Sequence, residues 1–322
     1  MKIKKSLGAA LLLAGLALAG AVAAQDKAKA ETAAEPANGG YSEEGADTCL
    51  NCHEADHATK EGAIFLSRHA RPDDARTPFG KDQLQCEACH GPGATHVKTK
   101  KGKRDKIIAF NPPATRAPAE LNAPCLVCHE NKARIAWQGS THEVNQLSCA
   151  TCHSVHSGND PVLTAATQVD VCGKCHKKQI AEIHKPWSHP IVAGKVVCSD
   201  CHSVHGSSAD KLLAKPTVNQ VCYTCHAEKR GPFLWEHEPV AEDCTTCHSP
   251  HGATNPALLK KNPPLLCQQC HAAAGHPAIA RTGAALPGGT GGGQGFLLSG
   301  GCVNCHSRIH GSNHPAGAKL MR

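Results

Sequence analysis

One short pattern, Cys-x-x-Cys-His, governs what this chain can become. It occurs ten times, at Cys49 and Cys52, Cys86 and Cys89, Cys125 and Cys128, Cys149 and Cys152, Cys172 and Cys175, Cys198 and Cys201, Cys222 and Cys225, Cys244 and Cys247, Cys267 and Cys270, and Cys302 and Cys305, and it uses all 20 cysteines. A histidine closes every copy: His53, His90, His129, His153, His176, His202, His226, His248, His271 and His306. Two thiols at this spacing can bond the two vinyl groups of one porphyrin, and the adjacent imidazole can then ligate the iron from one face. Zinc knuckles, disulfide scaffolds and thioredoxin-like pairs also use spaced cysteines, but none demands the trailing histidine. The pattern predicts ten covalently bound haem c groups, with the ten motif histidines as proximal ligands.

Composition agrees with a cofactor-built core. Aromatic residues are 3% of the chain, with two Tyr and three Trp. With about 30 residues per haem, the side chains cannot form a large core of their own, and the porphyrins must supply most of the buried apolar area. The chain without haem is expected to be unfolded. The formal charge of +7 does not describe the loaded protein. Ferric haems with two histidine ligands bring about −1 each through their propionates, roughly −10 in total, so the holoprotein is expected to be acidic and no nucleic-acid partner is implied.

Residues 1–24 read as a secretory signal: Lys2, Lys4 and Lys5, an apolar segment from Leu7 to Gly20, then Ala21-Val22-Ala23-Ala24. The apolar segment is short for a membrane span, and no later stretch has the character of a transmembrane helix. An exported, periplasmic protein is therefore expected. Residues 25–44 read as a disordered leader, and 45–322 as one cytochrome domain.

Within that domain the motifs alternate. Even-numbered motifs carry a histidine tail, as in CHSVHS from Cys152, CHSVHG from Cys201, CHSPHG from Cys247 and CHSRIHG from Cys305, with a looser CHGPGATH from Cys89. Odd motifs are followed instead by a polar–apolar stretch and a later histidine, as in Trp187-Ser188-His189 and Trp235-Glu236-His237. Five di-haem units follow, at about 45–118, 119–168, 169–218, 219–264 and 265–322. Each unit supplies two candidate distal ligands: His69 and His96, His142 and His156, His189 and His205, His237 and His251, His276 and His310. His57, His184 and His314 are left over. A tail histidine three residues after a motif histidine is expected to face a neighbouring haem. Helices are expected over Lys60–His69, Glu130–Trp137 and Lys177–His184; Gly206, Gly252 and Gly311 suit helix stops. No strand pattern is evident. The fold expected is a multihaem cytochrome c, elongated and haem-cored, mostly coil with short α-helices.

The only methionines are Met1 and Met321, so Met/His ligation, which raises a haem's potential, has almost no donor. Irons with two histidines leave no open position for a substrate, and no catalytic residues are expected. Lys98 to Lys106 form a basic run suited to a solvated loop or a docking patch, and Gly288 to Gly295 a flexible Gly-rich loop.

Ten motifs in about 300 residues, the CHSxHG tails and the signal segment resemble the periplasmic decahaem cytochromes of outer-membrane porin–cytochrome conduits, of the Mtr, Mto, Pio and DmsE type. The resemblance covers nearly all of the mature chain. It implies a cytochrome threaded into a β-barrel porin, carrying electrons between periplasm and cell exterior and meeting other c-type cytochromes as redox partners. Two other roles fit the same chemistry: a free periplasmic shuttle to a soluble reductase, and a multihaem oxyanion reductase.

Overall fold

The computed structural model describes residues 40–99, 107–110, 116–131, 134–271 and 301–322. The signal segment, most of the leader and of the basic run, the Gly-rich loop and His276 lie outside the described residues. Among those residues, regular structure is limited to helices of at most 12 residues, short 3-10 turns and isolated β-bridges. None is long and apolar enough to cross a membrane.

Every motif is a helical turn. The histidine N–H donates to the carbonyl of the first cysteine four residues back in nine of the ten copies, at 2.8–3.0 Å, and the tenth, Cys125–His129, closes a helix. A turn of this kind puts residues i, i+3 and i+4 on one face. Both thiols and the imidazole therefore address the same side.

The two motif classes are built differently. Odd motifs end helices: α1 (Pro118–His129), α2 (Ala165–Gly173) and α4 (Val218–Cys222) each run into their first cysteine, and α3 (Lys177–Ile183) follows one. Pro118 sits at the first helical position of α1, where its missing N–H is not needed, and Thr217 caps α4 by accepting from Gln220 N at 3.2 Å. Even motifs are free-standing single turns, such as Cys149–Cys152 and Cys198–Cys201. A return loop then doubles back on them: Ser203 N donates to Leu212 O at 2.6 Å and Ala214 N to Cys201 O at 2.8 Å, with Ser249/Leu258 and Lys260/Cys247 repeating the arrangement. The apolar doublets Leu212-Leu213 and Leu258-Leu259 are the returning strands of these loops.

The chain divides into two compact units. One comprises Met1–His53 and Leu84–Ile108, the other Glu54–Gln83 and Ala109–Arg322. In the first, the Glu87 carboxylate accepts from Ser42 N, Ser42 Oγ and Gly93 N, tying its segments together. In the second, Trp187 pairs with Ala253 and Trp235 with Ser312 in antiparallel bridges between successive repeats. Only seven apolar side chains are buried among the described residues, Leu121, Trp137 and Ile183 among them, while Val127, Ile135 and Leu163 are three-quarters exposed or more. A polypeptide core of that size does not hold this length of chain together by itself.

Two expectations change on contact with the structure. Lys60–His69 keeps only a 3-10 turn, Gly62–Leu66, and the described part of Glu130–Trp137 forms turns, while Lys177–Ile183 is helical. The tail glycines do not stop helices. A Cβ on Gly206 would collide with Ala136 O, and one on Gly311 with the Phe233 ring, each at a φ near +127°. They are sites of close backbone approach between repeats, which only a residue without a side chain allows. Cys52 and Cys128 are exposed. Each is followed at once by its motif histidine.

Candidate haem sites

Two metal–imidazole bonds of about 2 Å put the centroids of opposed rings roughly 6 Å apart. Seven histidine pairs among the described residues of the second unit have that spacing. They are His69/His129 at 6.1 Å, His142/His176 at 6.2 Å, His153/His205 at 6.0 Å, His189/His226 at 6.4 Å, His202/His251 at 6.2 Å, His237/His271 at 6.0 Å and His248/His310 at 6.2 Å. Each joins one motif histidine to one non-motif histidine, beside a pair of thiols on the motif's turn. The residues present therefore fit a porphyrin iron held from both faces.

The pairing follows a rule. A histidine preceding an even motif meets the odd motif of the next repeat: His69, His142, His189 and His237 face His129, His176, His226 and His271. A tail histidine meets the even motif of the preceding repeat: His205, His251 and His310 face His153, His202 and His248. His205 thus turns away from His202, its neighbour three residues before.

Ring orientation is fixed through Nδ1. Even-motif rings bond the return loop, His202 to Lys211 O at 2.9 Å, His248 to Ala257 O at 2.8 Å, His306 to Lys319 O at 2.7 Å and His90 to Ile108 O at 2.7 Å. His142, His189 and His237 bond the carbonyls of Val204, Pro250 and Ile309, each the residue just before the next tail histidine. One ligand position thereby braces another. With the Nδ1 proton committed to a carbonyl, Nε2 keeps its lone pair for a metal. Burial pushes the pKa of His69, His129, His205, His251 and His310 down, with the positive Arg134 adding to the effect at His129 and His205. Low values favour the neutral, metal-binding form.

His96 lies in the single turn Ala94–Lys98 of the first unit, and His156 Nδ1 is 2.8 Å from Lys60 O. Of the three left-over histidines, His57 meets Phe65 edge-on, His184 ends α3, and His314 Nδ1 accepts from Ala316 N at 3.1 Å.

The two thiols of a motif are not equivalent. All ten first cysteines are half-buried, whereas Cys52, Cys128, Cys152, Cys175, Cys225, Cys270 and Cys305 are exposed and Cys89, Cys201 and Cys247 are intermediate. Of the three half-buried second cysteines, Cys201 and Cys247 have carbonyls that accept from a return loop; Cys52 and Cys128 belong to odd motifs. The exposed second thiols include those of all five odd motifs and of the even motifs at Cys152 and Cys305.

Thiols of successive motifs also meet. First cysteines interact within a repeat: Cys49 with Cys86, Cys125 with Cys149, Cys172 with Cys198, Cys222 with Cys244 and Cys267 with Cys302. Second cysteines of adjoining repeats lie within electrostatic reach of each other: Cys152 of Cys175, Cys201 of Cys225 and Cys247 of Cys270. Hydrogen bonding from the facing sulfur raises the pKa of Cys86, Cys149 and Cys172. Sequence reasoning missed the clamps that create the first kind of contact. The buried amides of Asn122, Gln168 and Asn219, just ahead of odd motifs, accept from Cys149 N at 2.7 Å, Ser199 N at 3.0 Å and Cys244 N at 2.8 Å. Their recurrence three or four residues before an odd cysteine was the available signal.

Comparison with known proteins decides the class. The chain is 46% identical over 286 residues to the multiheme cytochrome MtrA of Shewanella baltica, covering 89% of this chain and 84% of that protein. The chain belongs to the MtrA family of multihaem cytochromes. Residues 189–231 and 237–276 match the doubled CXXCH motif family and residues 86–169 the NrfB-like cytochrome c family. NrfB of Escherichia coli is 31% identical over 136 residues, 41% of this chain and 65% of that protein; OmcB of Geobacter sulfurreducens is 24% identical over 217 residues, 58% of this chain and 26% of that protein. Like other members of the MtrA family, the chain is a haem c electron carrier rather than an enzyme with a substrate site.

Proposed function

We propose that the chain holds ten haem c groups and conducts electrons across the outer membrane, from the periplasm to the cell exterior or back, inside a β-barrel porin and between other c-type cytochromes. The observation that carries this reading is the set of seven opposed histidine pairs at 6.0–6.4 Å, each beside a Cys-x-x-Cys turn. Bound haem supplies a one-electron iron couple at each site.

The protein's part is attachment, ligation and spacing. The ten cysteine pairs tether, Cys52 and Cys128 included, since exposure does not move a thiol off the motif face it shares with Cys49 or Cys125. The ten motif histidines ligate one face, and His69, His142, His189, His205, His237, His251 and His310 ligate the other. His96, His156 and His276 complete the set of ten distal ligands. From Cys125 to Cys302, first cysteines hydrogen-bonded within a repeat alternate with second cysteines in electrostatic reach between repeats, which supports attachment edges that follow one another in sequence order. The 46% identity to MtrA supports the conduit role, and the signal segment supports export.

Pyridine haemochrome analysis with intact mass tests the haem set: ten groups per chain are expected, and far fewer would overturn the reading. Detergent extraction from native membranes tests the partner. Co-purification with a large β-barrel is expected; a wholly soluble pool would favour the shuttle instead.

A further inference from the structure

Backbone carbonyls satisfy Nδ1 of four even-motif histidines, but the fifth, His153, departs from that arrangement. Its Nδ1 lies 2.6 Å from Asp160 Oδ2. Asp160 is pinned for this contact, because its other oxygen accepts from Ser154 N at 3.2 Å and Val162 N at 3.3 Å, and its side chain is only 15% exposed. The tail histidines hold a second departure: His251 Nδ1 lies 3.3 Å from Oε2 of Glu182 on α3, a side chain 19% exposed. The repeat equivalents are charged the other way. Arg134 is the cation beside His205 and Lys229 the leading charge beside His310, with Glu228 a weaker opposing one.

A carboxylate on the outer N–H draws the proton away and gives the imidazole anionic character, which strengthens its donation to a metal. Stronger donation and nearby negative charge both favour the ferric over the ferrous state, since reduction adds an electron to the same site. A carbonyl does this weakly, and a lysine opposes it. We propose that Asp160 and Glu182 are positioning residues that hold the haems of the His153/His205 and His202/His251 pairs at lower reduction potential than that of the His248/His310 pair. The row of haems is then stepped along its length instead of level. At the first of these sites Arg134 offsets part of the effect through His205, but the carboxylate hydrogen-bonds the ligand ring itself and prevails. The inference rests on the ligation proposed above.

The test is spectroelectrochemical titration of the full holoprotein with D160N and E182Q, whose amides can still accept from Nδ1. In each variant, one haem's share of the absorbance is expected to move to higher potential, with the others unchanged. The largest g value of the matching low-spin EPR signal is expected to rise as the ligand field weakens. Curves that superimpose on the wild type, or that move downward, would overturn the proposal. If D160N or E182Q loses haem, D160E and E182D decide: a wild-type curve supports tuning by the carboxylate, whereas a raised curve at full haem content assigns these residues a structural role only. Failure of the underlying ligation looks different, because the wild type itself would then carry high-spin iron or fewer than ten haems.

Discussion

Even-motif and odd-motif histidine pairs differ in how their rings cross. The even pairs His153/His205, His202/His251 and His248/His310 are nearly coplanar, at 8°, 23° and 16°. Three of the odd pairs are strongly crossed, His69/His129 at 70°, His142/His176 at 85° and His189/His226 at 48°, while His237/His271 is at 25°. The scaffolds explain the contrast. An even-motif ring is anchored by acceptors from its own loop seven to 13 residues on, at Asp160, Lys211, Ala257 and Lys319, whereas an odd-motif ring such as that of His129 sits at the end of a helix. A short return loop thus sets ring geometry more uniformly than a helix terminus does.

The most severe way to break the contrast is to withhold haem. Chain secreted without haem attachment is expected to lose both classes of site at once, with collapse of the far-UV dichroism and rapid proteolysis. Selective breakage comes next. H205A is expected to convert one coplanar site to high-spin iron and H142A one crossed site, so the EPR spectrum should lose a different low-spin component in each. A spectrum in which both variants lose the same component would refute the division into two classes. Stability effects follow in decreasing order, read by denaturant titration of the holoprotein. G206A forces a side chain onto Ala136 O at a strained φ and is expected to cost about 3 kcal/mol. N219A removes a buried amide that accepts from Cys244 N and donates to Val240 O and Ala241 O, costing about 2 kcal/mol. T217A removes only the cap of α4, for about 1 kcal/mol.

The attachment chemistry was legible in the sequence because it is local: five consecutive residues form one turn and need nothing else. The alternation of tails exposed the repeat for the same reason. What lay hidden was long-range. Asn122 and Asn219 look like ordinary polar residues near a helix until the backbone N–H they reach, 25 or 27 residues on, is known. Gly206 reads as punctuation after a turn, because nothing nearby in sequence reveals Ala136 pressing on it. The stretches 60–69 and 130–137 carry helical patterning, but isolated helices this short are marginal on local preference alone.

Reciprocal lending of imidazoles between neighbouring repeats has an evolutionary edge. Under the proposed ligation no repeat is self-sufficient: each gives a histidine forward to the odd motif that follows it and another backward to the even motif that precedes it. A gene that dropped its last repeat would strip His310 from the iron of His248 and leave His237 without a metal. Growth or shortening of such an array therefore requires repair at the new end, so lengths should change in whole, re-terminated steps rather than drift.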